Sequence, residues 1–264
     1  MSGHKNLIER QRDGEEARVV NARHGVDLER EFDKTALPDK VYGKIVHRDY
    51  AAHFFRWGWA HRFVDTDTRL LDVGCGKDLA LARVLTHQMG SVPKLYVGVD
   101  INKLEPFNCK WTNFYGEFNF IHRHEEIRTL FGGEFDLVTC FEVIEHMGKA
   151  EGKKLLEAVR SFMNFDSRFL LSTPVYNDKA MAANHIYEWH KDELQQAIEV
   201  AGMKVENVYG TFASWTKIKK VCTDQERKLV EELGKFLSNE VLATFLASKY
   251  PDASSNCAWV IRRA

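Results

Sequence analysis

Glu142, Glu145 and His146 lie in the run Phe141-Glu142-Val143-Ile144-Glu145-His146-Met147, which puts two carboxylates beside an imidazole. A further imidazole, His185, lies in Asn184-His185-Ile186-Tyr187-Glu188-Trp189-His190. If a helix starts near Glu142, Glu142 and Glu145 share a face and His146 follows one turn later. Carboxylate oxygens mixed with imidazole nitrogens suit a divalent cation. The same groups can instead move a proton, since an imidazole titrates at about 6.5 when unperturbed. A third use is structural, with acid and imidazole bonded to backbone.

A second set of residues suits a nucleoside. Leu70-Leu71-Asp72-Val73-Gly74-Cys75-Gly76 reads as a buried strand entering a glycine turn, where backbone can approach a ligand closely. Leu79 stands where a dinucleotide fingerprint has its third glycine. Val97-Gly98-Val99-Asp100 ends a second strand in an acid, able to accept hydrogen bonds from two ribose hydroxyls. Taken singly, each has a plain alternative: an ordinary strand-to-helix turn, and an aspartate in a loop.

Elements that would carry these residues follow from periodicity. Apolar runs predict strands at Leu70–Val73, Leu95–Val99, Asn113–Phe120, Phe135–Phe141, Arg168–Ser172, Val205–Tyr209 and Trp259–Ile261. Helical spacing predicts helices over Leu79–Met89, from the end of the fourth strand to about Phe162, and over Asp192–Ala201 before Gly202. Strands alternating with helices indicate a doubly wound parallel sheet. Residues 44–64, dense in aromatics, read as a helix docked on the domain, and residues 1–40 as a polar arm. The expected division is an arm and docking helix over 1–67, then a domain over 68–264. Within the latter, about 211–256 forms a helical insertion, with a capping box at Thr223 and Glu226. Its lysines Lys217, Lys219 and Lys220 form a small basic cluster that can stay solvated or meet phosphate.

Composition narrows the class. The 264 residues are 44% hydrophobic and 28% charged, with 37 basic against 38 acidic side chains, so a broad nucleic-acid surface is not expected. No apolar run is long enough to span a bilayer, and the first residues lack the apolar core of a signal peptide. Five cysteines, an odd number without a CxxC pair, fit a reducing cytoplasm rather than a disulfide framework. Cys140, inside an apolar strand and without a preceding proline, reads as core.

LLDVGCG, VGVD, FDLVTCFEVIEHM and LLSTP, in that order over about residues 68–210, resemble the class I S-adenosylmethionine-dependent methyltransferases. That resemblance implies a Rossmann-like sheet of seven strands, parallel except for an antiparallel last strand. It implies S-adenosylmethionine as cofactor, and a sulfonium methyl donor has no pyrophosphate, which accounts for Leu79. The turn of Asp72, Gly74 and Gly76 would pass the methionine portion, Asp100 would hold the ribose, and Asn119 would flank the adenine. Phe141 and Glu142 would complete the cofactor site, with Glu142 facing the methionine amino group.

In type and order, Glu142, Glu145, His146 and His185 also resemble the metal-binding set of the small-RNA 3′-terminal 2′-O-methyltransferases. There the metal engages the terminal ribose hydroxyls. Many methyltransferases of the wider class carry the same acidic segment without metal, and the metal-free reading is preferred here. The expected acceptor is an O or N atom of a small-molecule or nucleotide-like substrate, with Glu145, His146 and His185 catalytic. Metal-assisted RNA 2′-O-methylation is the alternative, and a non-catalytic cofactor-binding scaffold or a nicotinamide-dependent enzyme stands behind it.

Overall fold

A computed structural model describes residues 39–264, apart from 42–43, 47, 89, 91, 108 and 177–180. The arm expected over residues 1–40 lies almost entirely outside the described residues.

Seven strands form one sheet: β1 (Arg69–Val73), β2 (Leu95–Val99), β3 (Thr112–Tyr115), β4 (Phe135–Phe141), β5 (Met163–Pro174), β6 (Met203–Phe212) and β7 (Asn256–Arg263). Their spatial order is β3-β2-β1-β4-β5-β7-β6. β1 to β5 pair in parallel, and β7 runs antiparallel between β5 and β6. The order reverses direction between β1 and β4, so the carboxyl ends of those two strands flank the crevice where such sheets bind ligands.

Alternation along the strands fills two cores, because successive side chains point to opposite faces. Leu71, Val97, Val138 and Trp259 face one core, and Leu70, Tyr96, Leu137 and Val260 face the other. The first is covered by α3 (Phe120–Phe131), α4 (Lys149–Arg160) and α5 (Lys191–Val200), through Ile127, Leu156, Val159, Leu194 and Ile198. The second is covered by α1 (Arg48–His61) and the short α2 (Ala80–Arg83), through Trp59, Ala60, Leu81 and Ala82. Burial on both faces explains why the central strands are continuous apolar runs.

Three expectations change. Residues 44–46 are not helical; they pair as a short antiparallel ribbon with Asp39–Val41, and the helix begins at Arg48. The third strand stops at Tyr115, because Glu117 is left-handed (φ 52°) and Phe120 already belongs to α3. No helix starts at Glu142; a single 3-10 turn covers Ile144–His146, and α4 starts only after Gly148.

The insertion holds α6 (Trp215–Ile218), α7 (Asp224–Leu233) and α8 (Asn239–Ala247). Thr223 and Glu226 form the capping box at the start of α7. The insertion leaves the sheet after Phe212 and rejoins it at Asn256, which pairs with both Phe212 and Pro174 at the carboxyl edge. Its anchor is Gly210. A Cβ there would collide with the Ala247 carbonyl at the end of α8 and with the Ser254 hydroxyl. Gly210→Ala should therefore push α8 off β6 and cost about 1–3 kcal/mol, the range for overpacking. Urea unfolding checks this, and unchanged stability would show that α8 does not press on β6.

Candidate active site

The first half of the site is built at the ends of β1 and β2. Gly74 and Gly76 both adopt left-handed backbone, with φ of 75° and 71°. A Cβ on Gly74 would collide with Val143 beyond β4, whereas one on Gly76 would meet open space. The turn thus packs on one side and opens on the other. The Gly74 and Cys75 amides donate to the Val99 carbonyl at 2.8 and 3.1 Å, and the Gly76 amide donates to Asp100 Oδ2 at 2.8 Å. Asp100 Oδ1 accepts from the backbone and side-chain amides of Asn102, at 2.8 and 2.9 Å. Carboxylate oxygens carry several lone pairs, so these bonds orient the group and still leave room for ligand hydroxyls. Residues of these types, around an open glycine turn, fit a nucleoside-bearing cofactor.

The other residues expected at the cofactor are more varied. Asp72 is buried inside the sheet, not exposed in the turn. Tyr96 and Thr139 donate to it, the latter at 2.7 Å, which ties β1 to β2 and β4. Burial pushes its carboxyl up to about 6. Asn119 caps α3, accepting from the His122 amide at 3.4 Å. Phe141 packs into the core beneath α1 and α2.

Glu142 ends β4 in a left-handed conformation, with φ of 58°. That backbone turns its carboxylate toward β5 and β7. Ser172 Oγ donates to Oε1 at 2.7 Å, and Asn256 Nδ2 donates to Oε2 at 2.7 Å. Arg56 of α1, only 3% exposed, approaches Oε1 at 3.6 Å. Arg56 and Asn256 went unnoticed in the sequence. An arginine set between Phe55 and Trp57 in α1 was the available signal for the first; nothing local marks the second.

Glu145, His146 and His185 do come together. One donor atom from each lies within 4.8 Å of the other two, and the two rings sit 5.2 Å apart between centroids. The Glu145 and Asn184 backbones hold the halves together: Ile186 and Tyr187 amides donate to the Glu145 carbonyl, at 2.8 and 3.1 Å. His146 Nδ1 lies 2.9 Å from the Asn184 carbonyl, and His185 Nδ1 lies 2.5 Å from Glu188 Oε1. Both partners only accept, so a neutral imidazole at either place carries its proton on Nδ1 and leaves Nε2 bare. Glu145 Oε2 accepts from Thr173 at 2.9 Å, whereas Oε1 is buried without any hydrogen-bond partner and lies 4.0 Å from His146 Nε2. Burial pushes the Glu145 carboxyl up to about 8, and the charge of Glu142 adds to that rise. Three electron-pair donors face one another, and below about pH 8 the one proton among them is that of the Glu145 carboxyl. An arrangement of that kind is costly unless a cation or a shared proton fills it.

A family profile described as a methyltransferase domain matches residues 42–213, well over half of the chain. The chain belongs to this methyltransferase family. Its sheet order and glycine turn are those of the class I S-adenosylmethionine-dependent enzymes, and S-adenosylmethionine is its cofactor. In fold the methyltransferase is similar to a SAM-dependent methyltransferase from Archaeoglobus fulgidus, with a TM-score of 0.52 and 18% identity, covering 83% of this chain and 95% of the other. It is also similar to the small RNA methyltransferase HEN1, with a TM-score of 0.50 and 19% identity, covering 79% of this chain and 25% of that one. By sequence it is similar to a small RNA 2′-O-methyltransferase of Rattus norvegicus, 29% identical over 169 residues, 57% of this chain. The methyltransferase spans 41% of that relative's length. Among the described residues no helix is long and apolar enough to cross a membrane.

Proposed function

We propose that this methyltransferase modifies the 2′ oxygen of a ribose on RNA, with a divalent ion held by Glu145, His146 and His185. The observation that carries the proposal is the unpartnered Glu145 Oε1 4.0 Å from His146 Nε2, with His185 brought into the same cluster. Sequence similarity to small RNA 2′-O-methyltransferases points the same way. The donor set is mixed oxygen and nitrogen, which admits ions such as Mg²⁺, Mn²⁺, Co²⁺ or Zn²⁺.

S-adenosylmethionine supplies a methyl group already activated on a sulfonium, and a divalent ion supplies positive charge that favours proton loss from a hydroxyl. The protein's own work is orientation. Asp100 and the Gly74–Gly76 turn would hold the nucleoside and methionine portions. Glu188 and the Asn184 carbonyl fix the imidazole tautomers, as outer partners do for metal-binding histidines. Glu142 stays with Ser172, Asn256 and Arg56, so three groups of this chain would leave coordination positions open to an acceptor. A metal-free variant uses the bare Nε2 of His146, whose side chain is 41% exposed, as a general base.

The acceptor is tested with labelled cofactor and a short RNA, beside the same RNA ending in a 2′-deoxy nucleotide. Label should enter the first and not the second. Equal labelling of both would reject the 2′ oxygen, and labelling of neither would return the reading to a small-molecule acceptor.

A further inference from the structure

The insertion brings a lysine to the edge of this site. Lys217, in α6, donates from Nζ to Ser255 Oγ at 3.1 Å, and among the described residues it forms no ion pair with a carboxylate. Ser255 immediately precedes Asn256, whose side chain holds Glu142, and the Ser255 carbonyl accepts from the Val175 amide at 3.0 Å. Val175 is two residues beyond Thr173, which holds Glu145. Two residues along a strand cover roughly 7 Å. Lys217 therefore stands at the rim of the same carboxyl edge, one strand over from the Glu145 cluster.

Aromatic surface lies beside it. Tyr176 follows Val175, its amide donates to the Trp189 carbonyl at 2.9 Å, and its ring meets that of His190 edge-on at 4.9 Å. The neighbouring Lys191 is already paired with Asp252. Lys219 and Lys220, both exposed, continue the positive charge outward from Lys217. A cation linked through Ser255 and Val175 to an aromatic pair, at the rim of the reaction site, matches what a single nucleic-acid strand offers: phosphate and base face together.

Resting on the RNA reading above, we infer that Lys217 and the Tyr176–His190 pair form the subsite for the nucleotides next to the methylated ribose. Lys217 takes a backbone phosphate, and the Tyr176 ring takes a base. Lys217 belongs to the insertion, beyond the residues matched by the family profile, whereas Tyr176 and His190 lie within them.

The test measures binding of a fluorescent single-stranded RNA at several salt concentrations, together with methyl transfer to it. Lys217→Gln keeps most of the side chain's length and should weaken binding about 5–20-fold at low salt. The slope of log affinity against log salt should fall by about 0.7, the value for one phosphate on a single strand. Lys217→Arg should restore both, and Lys154→Ala, on the exposed side of α4, should change neither. Tyr176→Ala should weaken binding with no change in slope, since stacking releases no counterions. If wild type methylates RNA and Lys217→Gln keeps the wild-type slope, the subsite is wrong and the function stands. If wild type neither binds nor methylates RNA, the function falls and the subsite with it.

Discussion

Glu145→Gln is expected to abolish methyl transfer, by more than the roughly 10–100-fold that loss of an outer partner of a metal ligand costs. The amide nearly keeps the shape of the carboxylate but removes its charge and offers an N–H toward the bare nitrogens of His146 and His185. Stability should move the other way in chelator-treated protein. The Glu145 carboxyl is raised to about 8 from its usual 4.5, chiefly by burial. The folded state therefore holds a proton that the unfolded chain has already released. Its contribution to stability is complete below about 4.5 and disappears as pH rises through about 8. Glu145→Gln escapes that loss, so its melting temperature should exceed wild type's by several degrees at pH 9 and by little at pH 5. A divalent ion should then stabilise wild type, since it binds only the folded state, and leave Glu145→Gln unmoved. Full activity in Glu145→Gln, or a melting temperature below wild type's at pH 9, would contradict this account of the cluster.

Asp100→Ala should produce the second large effect, on cofactor affinity. The carboxylate does two jobs at once. It holds the Gly76 amide, keeping the glycine turn against the end of β2, and on the proposed reading it would also accept from ribose hydroxyls. Hydrogen bonds to a charged group are worth about 1.5–3 kcal/mol, so S-adenosylmethionine should bind roughly 10–150-fold more weakly. Asp100→Asn separates the jobs, because its carbonyl can still accept from Gly76 while the charge is gone; its affinity should fall between the two. Calorimetry measures all three proteins, and equal affinities would remove Asp100 from the cofactor site.

How much of this was legible in the sequence depended on how local the cause was. The glycine turn and Asp100 could be read because strand, turn and acid are contiguous, and each residue type answers a backbone or hydrogen-bonding need at its own position. The convergence of His185 with Glu145 and His146 was approached through order along the chain and the carboxyl-edge rule. The tautomers were not, because they depend on Glu188 and on a carbonyl from Asn184. Glu142 misled for a backbone reason. Its left-handed φ turns the side chain toward Ser172 and Asn256, and a helical reading of Glu142 to His146 cannot show that. α3 was missed because Phe114, Phe118 and Phe120 keep a period of two that extends the strand pattern across Gly116 and Glu117, where the chain turns. Arg56 and Asn256 come from opposite ends of the chain and meet only through the sheet order.

The most direct measurement of the central claim uses protein stripped with chelator, labelled S-adenosylmethionine and a short RNA with an intact 2′-hydroxyl. The account predicts cofactor binding without added metal, since the glycine turn and Asp100 are separate from the cluster, but no label in RNA. Adding back a divalent ion should restore transfer in wild type and not in His185→Ala. Transfer by the stripped protein at its original rate would contradict a metal at Glu145, His146 and His185.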